Sequence, residues 1–88
     1  MDFFMKASVY LLISYKDRKT YLGSTDNLER RLIEHSAGKC KATKWRRPLR
    51  LIYREEFDSL LNARKREIFL KTRKGRQELK IIFQNIGE

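Results

Sequence analysis

Ser8-Val9-Tyr10-Leu11-Leu12-Ile13-Ser14, followed across a polar turn by Thr20-Tyr21-Leu22-Gly23, is the stretch on which the fold turns. Residues 7 to 15 alternate as a strand does. Val9, Leu11, Ile13 and Tyr15 fall on one face, and Ser8, Tyr10, Leu12 and Ser14 on the other. Both faces are largely apolar, which predicts a strand in the middle of a sheet. Lys16-Asp17-Arg18-Lys19 reads as the turn and Thr20 to Gly23 as the returning strand of a hairpin.

Working outward, Asp26 with Glu29 three residues on resembles a capping box and predicts a helix to about Ala37, stopped by Gly38. Leu28, Leu32 and Ile33 form its expected apolar stripe. Residues 39 to 50 hold six basic residues and no acidic one, and read as a loop ending at Pro48. Leu49 to Glu56 reads as a third strand. A second helix starts at Asp58 or Ser59, with Leu60, Ala63, Glu67 and Leu70 along one side. Gly75 interrupts the pattern. Leu79, Ile82, Phe83 and Ile86 then carry the spacing of a third, amphipathic helix. The order β-β-α-β-α-α predicts an α+β fold: a small three-stranded, mainly antiparallel sheet covered by helices.

Composition narrows the function. With 88 residues, one domain spanning residues 1–88 is expected. Lys and Arg total 21 against 11 Asp and Glu, a net charge of +10, which calls for a polyanionic partner. The charge is lopsided: residues 39 to 88 carry fifteen basic and six acidic groups. One Cys and one His exclude an intramolecular disulfide and most structural zinc sites. The longest apolar run, Val9 to Ile13, is far short of the roughly 20 residues of a spanning helix. No signal peptide is read, and a lone Cys suits a reducing cytosol, so a cytoplasmic location without membrane attachment is expected. Met1 and Met5 read as packing residues.

Several side chains could carry chemistry, and each also has a plain reading. Tyr10 and Tyr21 lie on paired strands, where core packing is the usual role of tyrosine. Arg31 and His35 share a helix face at i, i+4; a solvated charged surface and a helix-dipole contact would also explain them. Glu67 interrupts an apolar stripe, where a carboxylate needs a partner, and Lys71 one turn on could supply it. Lys39, Lys41, Lys44, Arg46, Arg47 and Arg50 are the candidate phosphate contacts. Trp45 among them could stack on an exposed base or anchor the loop to the core.

Taken together, Ser8-Val9-Tyr10, Thr20-Tyr21-Leu22-Gly23-Ser24-Thr25, Asn27 to His35 and Glu67 resemble the GIY-YIG nuclease family over roughly residues 6 to 83. The likeness is to its small stand-alone members and to the nuclease domain of the bacterial excision-repair subunit UvrC. It implies a metal-dependent endonuclease acting on DNA, with RNA not excluded, in repair or recombination. It implies one divalent ion, Mg²⁺ or Mn²⁺, on Glu67; Tyr10 and Tyr21 near the scissile phosphate; Arg31 on that phosphate; and His35 one turn after the arginine. Ser8 stands for the first glycine of the motif, Leu22 for isoleucine, and Ser24 where the UvrC domain has lysine. Leu79 stands where many members have asparagine. Tyr10 is the candidate to take a proton from water, although an unperturbed phenolate at pH 7 costs roughly 4 kcal/mol; Tyr21 is the alternative. So short a chain has no separate DNA-reading domain, so a targeting protein is a further expected partner. The competing expectation is a nucleic-acid-binding module of the same fold without catalysis. If the nuclease reading holds, Tyr10, Tyr21, Arg31, His35 and Glu67 should converge on one surface.

Overall fold

The computed structural model describes residues 6–86; Met1 and Met5 lie outside them. Its elements are β1 (Ala7–Ser14), β2 (Thr20–Thr25), α1 (Leu28–Ser36), a 3-10 turn (Lys44–Arg46), β3 (Leu49–Phe57), α2 (Leu60–Leu70) and α3 (Arg73–Ile86). The sheet is antiparallel throughout, in the order β2-β1-β3. β1 is the middle strand, as its two apolar faces require, and all eight of its residues are buried.

Register decides what faces what. Tyr10 stands opposite Gly23, Leu12 opposite Tyr21, Leu11 opposite Leu22 and Val9 opposite Ser24. Because side chains alternate, Tyr10, Leu12, Tyr21 and Gly23 share one face, and Val9, Leu11, Leu22 and Ser24 the other. The second face is the apolar core. Ala7, Val9, Leu11 and Leu22 pack there against Ala63 and Leu70 of α2, with Leu79 and Phe83 of α3 beside them. Arg66 of α2 reaches across to Glu55 of β3 (2.8 Å) and also bonds Glu78 of α3, while the Tyr53 hydroxyl donates to Glu55 (2.5 Å). One guanidinium thus ties three elements together.

Local details correct the sequence reading in three places. Asn27, not Asp26, caps α1: its side chain accepts from the Arg30 N–H at 3.0 Å, and Asp26 pairs instead with the Arg30 guanidinium at 3.3 Å. The cap moved one residue because β2 continues to Thr25, where the Thr25 hydroxyl accepts from the Asn27 N–H. Ile33 does not join the buried stripe of α1 and is 64% exposed. Gly75 does not break a helix but sits in the first turn of α3, buried. A Cβ there would lie 1.9 Å from the Phe69 carbonyl oxygen, so only glycine lets α3 start this close to the end of α2. Ser59 caps α2, its side chain accepting from the Asn62 N–H. Gly38 ends α1 at φ +77°, as expected.

Candidate active site

The buried residues on the α1 side of the sheet are largely polar. Tyr10 projects from the middle strand under α1, with 1% of its surface accessible. Its hydroxyl is 2.9 Å from His35 Nε2, and His35 Nδ1 is 2.7 Å from the hydroxyl of Thr43. All three side chains are buried, so this is a closed chain from the sheet through α1 to the basic loop. Tyr21 completes an aromatic triangle, its ring centroid 6.4 Å from Tyr10 and 5.3 Å from His35. Gly23 makes the arrangement possible: a Cβ at that position would lie 2.5 Å from the Tyr10 hydroxyl oxygen.

Arg31, one turn before His35, interacts with the Tyr10 hydroxyl and pairs with Glu34 at 3.0 Å. Those two partners raise its already high pKa and fix its charge. Burial pushes Tyr10 up to about 12, against the lowering pull of Arg31. Burial, and then the nearby Arg31 charge, pulls His35 below its usual value of 6.5. His35 is therefore neutral at pH 7 and carries one ring proton. With one ring proton, on Nδ1 or Nε2, His35 donates one of its two bonds, to Tyr10 and to Thr43, and accepts the other.

Glu67 arrives from elsewhere. It lies on the sheet side of α2, and Ser24 of β2 donates its hydroxyl to Glu67 Oε1. Glu67 Oε2 is 2.7 Å from the Lys71 ammonium, the i+4 partner anticipated for it. Ser24 points to the α2 side of the sheet, whereas Tyr10 and Tyr21 point to the α1 side. The structure thus gathers Tyr10, Tyr21, Arg31 and His35 on one face, whereas Glu67 meets β2 at Ser24 from the opposite face, so the five side chains do not converge on one surface as the nuclease reading expects. β2 is an edge strand, so the two sides adjoin along its unpaired margin, at Gly23 and Ser24. Among the described residues, no group of three or more His, Cys, Asp or Glu could hold a metal ion.

The basic loop is more tied down than its charge suggests. Arg46 pairs with Asp17 at 2.8 Å and also reaches the Thr20 carbonyl. The Arg47 guanidinium donates to the carbonyls of Lys44 (3.0 Å) and Ser36 (3.2 Å), and Arg50 donates to the Tyr15 hydroxyl (3.1 Å). Lys39, Lys41 and Lys44 are exposed. Trp45 is 73% exposed, so it does not anchor the loop. Thr43 and Ser24 had no distinguishing mark in the sequence: one is a hydroxyl in a basic run, the other a substitution for a lysine. No described helix is long and apolar enough to cross a membrane.

Comparison with known proteins agrees with this fold. Residues 6–80 match the GIY-YIG catalytic domain family. A UPF0213 protein of Staphylococcus haemolyticus is 45% identical over 78 residues, covering 88% of this chain and 94% of that protein. A UPF0213 protein of Syntrophus aciditrophicus is 43% identical over 82 residues, covering 91% and 93%. The solution NMR structure of a UPF0213 protein of Bacillus halodurans is similar at a TM-score of 0.54 and 33% identity, covering 89% of this chain and 85% of that one.

Proposed function

The chain belongs to the GIY-YIG family, and from that membership and the geometry above we propose that it grips the sugar-phosphate backbone of DNA along the margin of β2, without reading sequence. The observation that carries this reading is Arg31. It is a guanidinium paired with Glu34 at 3.0 Å and interacting with the Tyr10 hydroxyl, on a chain of net charge +10. Arg presents a planar fork that matches a phosphate. Exposed Lys39, Lys41 and Lys44 add charge without groove-reading geometry, and contacts of that kind position a duplex without specifying its sequence. If about five phosphates are neutralised, log K should fall with log[salt] at a slope of roughly −4.5 on duplex DNA. A slope near zero would defeat this reading.

A second reading, hydrolysis of the phosphodiester, has one specific observation behind it. Binding alone does not need the closed chain Tyr10–His35–Thr43. Tyr10, at about 12, stays protonated at neutral pH, and a free phenolate there would cost about 7 kcal/mol. Burial thus worsens the obstacle to Tyr10 as a simple base. It can act on a water only by handing its own proton to neutral His35 as it receives the water's. Arg31 would hold the phosphoryl oxygens as charge builds on them. Glu67 is the residue that would hold a divalent ion. One carboxylate fits a hydrated Mg²⁺ or Mn²⁺ that completes its shell with waters and substrate phosphate, provided that the exposed Lys71 swings away. Bound there, the ion would supply Lewis-acid stabilisation of the leaving oxygen.

A cleavage panel of duplex, flap, junction and single-stranded DNA and RNA, with Mg²⁺ or Mn²⁺, separates the two readings. Cleavage by the wild type that Glu67→Gln abolishes while affinity stays within a few-fold would establish the second. Binding with no cleavage anywhere in the panel would leave the first. Either reading leaves room for a targeting protein that directs this domain to its site.

A further inference from the structure

We propose that Trp45 and the cavity beside it form a docking site for one unpaired nucleotide, so that the nucleic acid engaged by this chain carries a single-stranded segment. The inference rests on the backbone-binding reading above and narrows it to a substrate class.

A large exposed aromatic is informative when something holds it out in solvent. Trp45 is such a case. The turn that carries it is fixed on every side: Thr43 is buried against His35, and the Arg46 carbonyl accepts from the Ser14 hydroxyl at 2.5 Å. The Arg46 side chain is held by Asp17, and Arg47 by the Lys44 and Ser36 carbonyls. With its neighbours committed, the indole stays 73% exposed. A preorganised aromatic face loses little entropy when a flat partner lands on it.

The surroundings say what the partner is. Trp45 borders a cavity of about 490 Å³ whose wall includes Lys16, Lys44 and Arg47 together with Pro48 and Leu49, and no carboxylate. That volume is in the range of small-ligand pockets. An apolar plane flanked by three cations suits a nucleobase with its phosphates. The Lys44 ammonium lies over one face of the indole, 5.1 Å from its centroid, so the base is assigned to the opposite face. In a duplex, base faces are covered by neighbouring pairs, so only an unpaired base can take the place. Two residues of the cavity wall, Ser36 and Lys44, are chain neighbours of His35 and Thr43.

Trp45 is the sole tryptophan of the chain, so its emission reports this site alone. The test titrates the protein with an oligothymidylate and with an abasic oligomer of equal length and charge. The oligothymidylate should quench the emission and bind about fivefold or more tighter than the abasic strand. Trp45→Ala should bring oligothymidylate affinity down to that of the abasic strand, and Trp45→Phe should keep part of the difference. Equal affinities with unquenched emission would overturn the stacking site and leave electrostatic backbone binding intact. If neither strand nor a duplex binds at low salt, the nucleic-acid reading falls and this inference with it.

Discussion

On the face of the sheet covered by α2 and α3, Val9, Leu11, Leu22, Ala63 and Leu70 exclude water by packing carbon against carbon. On the face toward α1 and the basic loop, Tyr10, His35, Thr43 and Ser14 are as thoroughly buried, but as polar groups with partners. Among the described residues no buried side-chain nitrogen or oxygen lacks a partner. Dispersion and the hydrophobic effect are non-directional, so the first face tolerates some repacking. Hydrogen bonds are directional, and a broken one leaves a buried group unsatisfied. One face therefore holds the molecule together, and the other sets atoms at fixed positions.

The comparison can be broken most forcefully from the apolar side. Leu70→Ala, at a residue with no accessible surface, should lower unfolding free energy by about 3 kcal/mol or more in denaturant titration. Nucleic-acid affinity of the fraction still folded should stay unchanged. Tyr10→Phe is the counterpart on the polar face. It removes one hydroxyl and strands His35 Nε2, for a loss of about 1–3 kcal/mol. It should abolish any cleavage activity, which a change at Leu70 should not do below the melting range. If both variants affected stability and function in the same proportion, the division between the faces would be wrong.

Acid offers a milder probe of the polar face. The folded pKa of His35 lies below its unfolded value of 6.5. Between those two values the unfolded chain binds the proton and the native chain does not. Stability is thus complete above pH 6.5 and falls as pH drops below it. Denaturation midpoints at pH 7 and pH 5.5 should show the decline, and His35→Gln should flatten it. Least of all, Ile33→Ser, on the solvent side of α1, should shift stability by no more than about 0.5 kcal/mol. A larger loss would mean that the outer face of α1 is covered in solution.

Much of this arrangement could be read from the chain. The two-sided apolar pattern of residues 7 to 15 placed β1 in the middle of the sheet, and helix spacing found Ala63, Leu70, Leu79 and Phe83. Local signals were less exact. Asp26 and Asn27 are both competent caps, and the extra length of β2 decided between them. The family motif named Tyr10, Tyr21, Arg31, His35 and Glu67. It could not reveal that Glu67 comes to β2 from the opposite face, because that depends on how α2 packs. Thr43 and Ser24 were invisible for the same reason: their roles lie in contacts 8 and 43 residues away. Arg46 read as a phosphate contact, yet it pairs with Asp17 across 29 residues, which spacing alone could not disclose.

Gly23 has a consequence for how the chain avoids misfolding. Slide β2 along β1 by two positions in either direction and the inside-outside alternation survives, so hydrophobicity alone would not forbid the error. Tyr21 or Thr25 would then stand opposite Tyr10, where Gly23 stands now. Each would drive a side chain into space that the Tyr10 hydroxyl occupies. The missing side chain and the phenol form a key and keyhole that admit one alignment of the hairpin. A residue pair at the candidate active site thereby also proofreads the assembly of the sheet that carries it.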